Sequence, residues 1–180
     1  MTKKNKLRLA TIWLDGCSGC HMSFLDIDDR ILALADKVDI VFSPLVDAKV
    51  FPENVDITLV EGALGTEEDL HKLEKIRPRT KILVAFGDCA ITANIPSMRN
   101  PFGAEEILNH VYLNMGADNP QIPTQIVPAL LPRALPLHSY VKVDLFIPGC
   151  PPSADTIFFA LSELIEGRTP DLSHLTRFGA

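Results

Sequence analysis

The strongest constraint on this chain lies in residues 7–25. The apolar run LRLATIWL stops at Asp15-Gly16, two cysteines follow with two residues between them, and an amphipathic segment opens at about Met22. That order reads as a strand, a tight glycine turn and a helix start. The run is almost continuously apolar, as a strand covered on both faces of a parallel sheet must be. The turn places Cys17 and Cys20 at the carboxyl end of that strand. It also sets them beside the free N–H groups of a helix N-terminus, which favour thiolate.

The remaining elements keep the same alternation. Met22 to Ala35 reads as a helix whose stripe is Phe24, Leu25, Ile31, Leu32 and Ala35, with Asp26, Asp28, Asp29 and Arg30 on the wet face. VDIVFSP (38–44) and VDITLVEG (55–62) read as strands. Thr66-Glu67-Glu68 opens a helix with an acidic first turn, and Arg77 closes it before Pro78. KILVAFGDC (81–89) is the next strand, Gly103 to Leu113 a helix, and Val143 to Ile147 the last strand, ending in Pro148-Gly149-Cys150. Ser153 or Asp155 caps a final helix through Ile165, stopped at Gly167. Such alternation predicts a doubly wound parallel α/β sheet, and five strands predict the flavodoxin-like order 2-1-3-4-5. With 180 residues, 47% of them apolar, the chain reads as a single domain over 1–180 with a sheet buried on both sides.

Residues 116–142, ahead of the last strand, break the pattern. Prolines at 120, 123, 128, 132 and 136 exclude a helix and a central strand, yet Ile122, Ile126, Val127, Leu130, Leu131, Leu135 and Leu137 make the segment apolar. It reads either as a long loop packed on its own domain or as a docking surface for another chain.

Seventeen basic residues against 23 acidic ones, a net charge of −6, argue against a nucleic-acid partner. The N-terminal basic residues before an apolar run resemble a signal peptide, but the run contains Arg8 and ends at Asp15 without a small-residue cleavage site. No apolar run approaches the ~18 residues of a membrane span. A cytoplasmic location is expected, where four cysteines serve metal or redox chemistry rather than structural disulfides.

Placed on the predicted strands, Cys17 and Cys20 follow the first, Cys89 ends the fourth and Cys150 follows the fifth. All four then share the carboxyl rim of the sheet, where open α/β folds bind ligands. Gly16, Gly19, Gly62, Gly65, Gly87 and Gly149 lie at the same strand ends. Glycine lets backbone approach a bulky ligand and point N–H groups at it. Three readings compete. A zinc site can take four thiolates, but it usually draws them from two short-spaced pairs, whereas Cys89 and Cys150 stand far apart in sequence. A thioredoxin-like dithiol needs only Cys17 and Cys20. A single 4Fe–4S cluster uses all four and is preferred.

Four ordered motifs, WLDGCSGCHMSFL, LVEGAL (59–64), GDCAITANIPSMRNPFG (87–103) and IPGCPPS (147–153), resemble the electron-transfer (small) subunit of nickel–iron hydrogenases. That superfamily is shared with the 20 kDa cluster subunit of respiratory complex I. The complex I branch has adjacent cysteines in its first motif; here Ser18-Gly19 separates them, as in hydrogenases. The resemblance spans residues 7–167. The chain's brevity, without a twin-arginine leader or a second cluster domain, is similar to the soluble, NAD-reducing (bidirectional) group. The resemblance implies that Cys17, Cys20, Cys89 and Cys150 ligate one 4Fe–4S cluster. It also implies that the nickel–iron centre belongs to a separate large subunit, and that flavin and NAD belong to iron–sulfur/flavin diaphorase subunits. Where relatives show glycine pairs after the third cysteine, this chain has Thr92-Ala93-Asn94; Asn94 tolerates a left-handed backbone, so a changed local turn is expected.

Glu61, within VEG, reads either as an ordinary solvated or helix-capping carboxylate or, by its position in the resembled motif, as a group that tunes the cluster or handles protons. Gly16 and Gly62 accompany it. His21 reads as a surface residue at a helix start, and Asp15 and Asp88 as turn residues. A flavin in this chain is disfavoured because cysteines stand where a hydroxyl-rich phosphate loop would be, and no GxGxxG is present for NAD.

Overall fold

Alternate residues of the apolar runs point to opposite faces of one sheet, and each face acquires its own core. In the computed structural model, which describes residues 6–115 and 118–176, β1 (Leu7–Trp13), β2 (Val38–Phe42), β3 (Val55–Glu61), β5 (Thr80–Phe86) and β7 (Leu145–Ile147) form a parallel sheet in the order β2-β1-β3-β5-β7. Setting aside the short β4 (Leu64–Thr66) and β6 (Leu130–Leu135), which pair antiparallel with each other, this is the predicted 2-1-3-4-5 order.

In β5, Val84 and Phe86 join one core, with Phe24, Ile27, Ile157 and Leu161 from helical segments, while Leu83 and Ala85 join the other, with Leu73 and Ile76. Helices α1 (Gly19–Leu25) and α6 (Ala154–Ile165) thus cover one face and α3 (Glu67–Ile76) the other. Thr66 caps α3 in a reciprocal box with Asp69, in keeping with the acidic first turn. Ser153, not Asp155, caps α6 by accepting from the Thr156 N–H at 3.2 Å, and Gly167 follows its end at φ +74°.

Several boundaries differ from the sequence reading. The first helix starts at Gly19 rather than Met22 and breaks at Asp28, whose φ is +57°; a 3-10 turn then leads into α2 (Ile31–Ala35). That break resets the helical phase. The buried stripe is Phe24, Ile27 and Leu34, while Leu25 and Leu32 are 51% and 69% exposed. The strand expected over 81–89 ends at Phe86, and Cys89 sits in the short helix α4 (Asp88–Thr92). The last strand begins at Leu145, not Val143, because the Asp144 carboxylate takes the Leu83 N–H at 2.9 Å that a backbone carbonyl would otherwise accept. The helix expected over 103–113 is α5 (Ala104–Asn109) followed by a π-helical turn, His110–Asn114.

The proline-rich segment divides. Its second half supplies β6 and buries Ala134 and Leu137, Pro132 being tolerated on a two-stranded edge. Its first half leaves Ile126 and Val127 exposed; residues 116 and 117 lie outside the described residues.

Candidate metal centre

The turn after β1 is assembled on Glu61. Asp15 and Ala63 exchange backbone hydrogen bonds, with Ala63 N–H donating to the Asp15 carbonyl at 2.7 Å and Asp15 N–H to the Ala63 carbonyl at 3.1 Å. Gly16 passes over Gly62 so closely that an added Cβ would stand 3.2 Å from the Gly62 Cα. Gly62 itself, at φ +94°, leaves no room for a side chain against the Leu14 and Asp15 backbone. This close crossing puts the Glu61 carboxylate under the start of α1. There its two oxygens accept the N–H groups of Cys20 (3.3 Å) and His21 (3.0 Å).

Glu61 is therefore a helix-capping carboxylate, but not a solvated one: it is 1% exposed. Its Oε2 also contacts His21 Nδ1. His21 is buried rather than on the surface, and its Nε2 meets Thr11 Oγ1 at 3.0 Å, which in turn donates to Ser43 Oγ at 2.9 Å. The expectation that free helix N–H groups would favour a Cys20 thiolate fails, since Glu61 takes the amide of Cys20 itself. Burial first, then Glu61 and the other three cysteines, push the Cys20 thiol well above its ordinary range.

The third and fourth cysteine loops are stapled to each other. Gly87 N–H donates to the Ile147 carbonyl at 2.8 Å and Asp88 N–H to the Gly149 carbonyl at 2.9 Å. The Asp88 carboxylate accepts the Gly149 N–H at 2.7 Å, so this buried aspartate is a cross-loop clamp and not a plain turn residue. The first loop meets the same point. Ser23 Oγ donates to the Pro152 carbonyl at 2.5 Å, and a Cβ on Gly87 would overlap Cys20 Sγ while lying 3.4 Å from the Gly149 carbonyl.

Around this rim Cys17 and Cys150 are exposed, Cys89 is half-buried and Cys20 is buried, and all four are free thiols. Gly19 N–H points at Cys17 Sγ (3.4 Å) and Asn94 Nδ2 at Cys150 Sγ (3.5 Å). Burial raises the Cys89 thiol, opposed by the Ile95 backbone N–H, which favours its thiolate. The left-handed residue of this turn is Ala93, at φ +60°, rather than Asn94. Sequence reasoning does not connect His21, Thr11 and Ser43 into a set. The one available signal is a threonine in the middle of a strand whose central neighbours, Leu9, Ala10 and Ile12, are apolar.

The fold and this rim define a flavodoxin-like α/β subunit that gathers four cysteines at the carboxyl edge of its sheet. The chain belongs to the family described as NADH ubiquinone oxidoreductase, 20 Kd subunit, which matches residues 17–164. It is 40% identical to the NAD-reducing hydrogenase HoxS subunit delta of Cupriavidus necator, over 98% of this chain and 87% of that protein. It is 39% identical to an F420-non-reducing hydrogenase subunit of Methanocaldococcus jannaschii, over 92% of this chain but 58% of that protein. A chain in the crystal structure of an NAD+-reducing [NiFe]-hydrogenase in the H2-reduced state superposes with a TM-score of 0.92 at 41% identity, covering 97% of this chain and 99% of that one. The likeness read from the four motifs is thus borne out: the chain is homologous to a subunit of an NAD-reducing nickel–iron hydrogenase. Among the described residues, no helix is long and apolar enough to cross a membrane.

Proposed function

We propose that this chain is the electron-transfer subunit of a nickel–iron hydrogenase, holding one 4Fe–4S cluster on Cys17, Cys20, Cys89 and Cys150. Electrons pass through it between a hydrogen-activating large subunit and iron–sulfur/flavin diaphorase subunits that reduce NAD. The nickel–iron centre, flavin and NAD reside in those partners. A reducing, cytoplasmic setting keeps the thiols available, and residues 1–180 act as one domain. The observation that carries this reading is the stapling of three cysteine loops, from three strands, around one point.

The donor set fits such a group. The four thiols lie near enough for Cys20 to feel the charge of the other three. A single 4Fe–4S cluster would use all four thiolates, whereas zinc usually draws its ligands from two short-spaced pairs, and Cys89 and Cys150 stand far apart in sequence. A stand-alone dithiol oxidoreductase would use only Cys17 and Cys20, and would leave Cys89 and Cys150, on loops stapled to the same rim, without a role. Bound at this rim, the cluster supplies one-electron transfer. The chain's part is to hold it: Gly87 opens space beside Cys20, N–H groups face the sulfurs, and cationic irons overcome the raised thiol pKa values by taking thiolate. Exposed Trp13, Met22, Ile95, Met98 and Phe102 near the cysteine loops supply the kind of apolar surface that a partner subunit covers.

Two outcomes are expected. Anaerobically purified complex should carry about four irons and four sulfides per copy of this chain in the proposed site. A Cys89→Ala, Cys150→Ala double variant should lose them, and a variant that keeps its full complement would remove these two cysteines from the ligand set. Second, the large subunit and this chain together should reduce a one-electron dye with hydrogen, but reduce NAD only once the diaphorase subunits are added. NAD reduction by the pair alone would overturn the division of labour.

A further inference from the structure

The thiols of the rim do not share one environment. Cys17 Sγ receives the Gly19 N–H at 3.4 Å, and the Ile95 backbone N–H favours the Cys89 thiolate. Cys150 Sγ is different: its donor is a side chain, Asn94 Nδ2 at 3.5 Å, reaching from the loop of the third cysteine to the fourth. Asn94 is aimed by its surroundings. Ala93 turns the chain at φ +60°, the Asn94 N–H donates to Thr92 Oγ1 at 3.3 Å, and the Asn94 carbonyl accepts from Ser97 Oγ at 2.7 Å. With Cys150 as the thiolate that ligates a cluster, the amide orientation follows from chemistry, since turning Oδ1 toward the sulfur would set two acceptors against each other.

Resting on the four-cysteine reading above, we infer that Asn94 is a positioning residue that sets the reduction potential of the cluster through its hydrogen bond to Cys150 Sγ. A donor facing a thiolate offsets negative charge, and that charge grows when an electron arrives. The bond therefore stabilises the reduced state more than the oxidised one, and hydrogen bonds to the sulfurs are among the determinants of cluster potential. Because this donor is a side chain, it can be removed without rebuilding the backbone amides that serve the other thiols.

The test is a redox titration of the cluster signal by electron paramagnetic resonance in the assembled complex, beside iron analysis. Asn94→Ala should keep its iron and titrate at a more negative potential. The expected fall in the reduction equilibrium is about three- to tenfold, tenfold being about 59 mV for one electron. Asn94→Asp keeps the shape but replaces the donor by a negative acceptor, and should lie more negative still. An iron-loaded Asn94→Ala complex with an unchanged potential would overturn the inference. So would loss of iron from both variants, which would make Asn94 a purely structural brace. A wild-type complex with no cluster in this chain would instead refute the four-cysteine reading itself.

Discussion

Replacing Gly87 by alanine is expected to strip most of the iron from this subunit. Gly87 adopts φ 84° and ψ 164°, a region that side-chain-bearing residues avoid at a cost of about 1–3 kcal/mol. The added methyl would also occupy the space of Cys20 Sγ. The chain can answer only by moving Cys20 or by releasing the hydrogen bonds that tie Gly87 and Asp88 to Ile147 and Gly149. Either response pulls the cysteine loops apart. Iron and sulfide content should fall far more than in Gly103→Ala, a control that also has a positive φ, +85°, but nothing within 4 Å of the new Cβ. Equal iron in both variants would show that the close approach at Gly87 has no bearing on the site.

The second large effect is expected at Glu61. Its removal as Glu61→Ala leaves the Cys20 and His21 N–H groups and the His21 ring without their acceptor, inside a region where Glu61 and His21 are 1% and 4% exposed. Each stranded buried donor costs about 1–3 kcal/mol, and Glu61→Ala strands three of them. A loss of at least about 3 kcal/mol in denaturant unfolding is therefore expected. Glu61→Gln retains one acceptor oxygen and should lose about half as much. Its amide must face either an N–H or the imidazole with a donor, so it cannot match the wild type. An alanine variant as stable as the parent would mean that this carboxylate does not hold the start of α1.

These two residues show how unevenly the site is legible in the sequence. Gly87 is one of six glycines that the sequence places at the strand ends for close approach to a ligand, and the structure shows that its own close neighbour is Cys20 Sγ. Glu61 falls in the right place, but nothing local announces its burial, nor His21 as its neighbour. A carboxylate and a histidine read singly as surface groups. Only when Glu61, His21, Thr11 and Ser43 are brought into one file does each find a partner that makes burial tolerable. The same limit explains the first helix. A 3.6-residue period runs unbroken through Asp28 in the sequence, but α1 buries Cys20, His21, Ser23 and Phe24 and so faces Leu25 outward, and the left-handed residue at Asp28 starts a new phase in which Leu32 is exposed.

By itself, the sequence determined the parallel sheet, its strand order, the family and the strand ends at which the cysteines stand. Apolar periodicity, glycine turns and ordered motifs are local signals, and parallel strands linked by helices leave few topologies open. Tertiary structure alone decided which thiols are buried, that Cys89 rides on a helix rather than a strand, and that Asp88 clamps one cysteine loop to the other. It also decided that β6 pairs with β4, and that Asn94 reaches Cys150 across 56 residues of chain. These depend on distances between segments remote in sequence. Such distances are set by how the two cores pack against the sheet, and no local pattern records them.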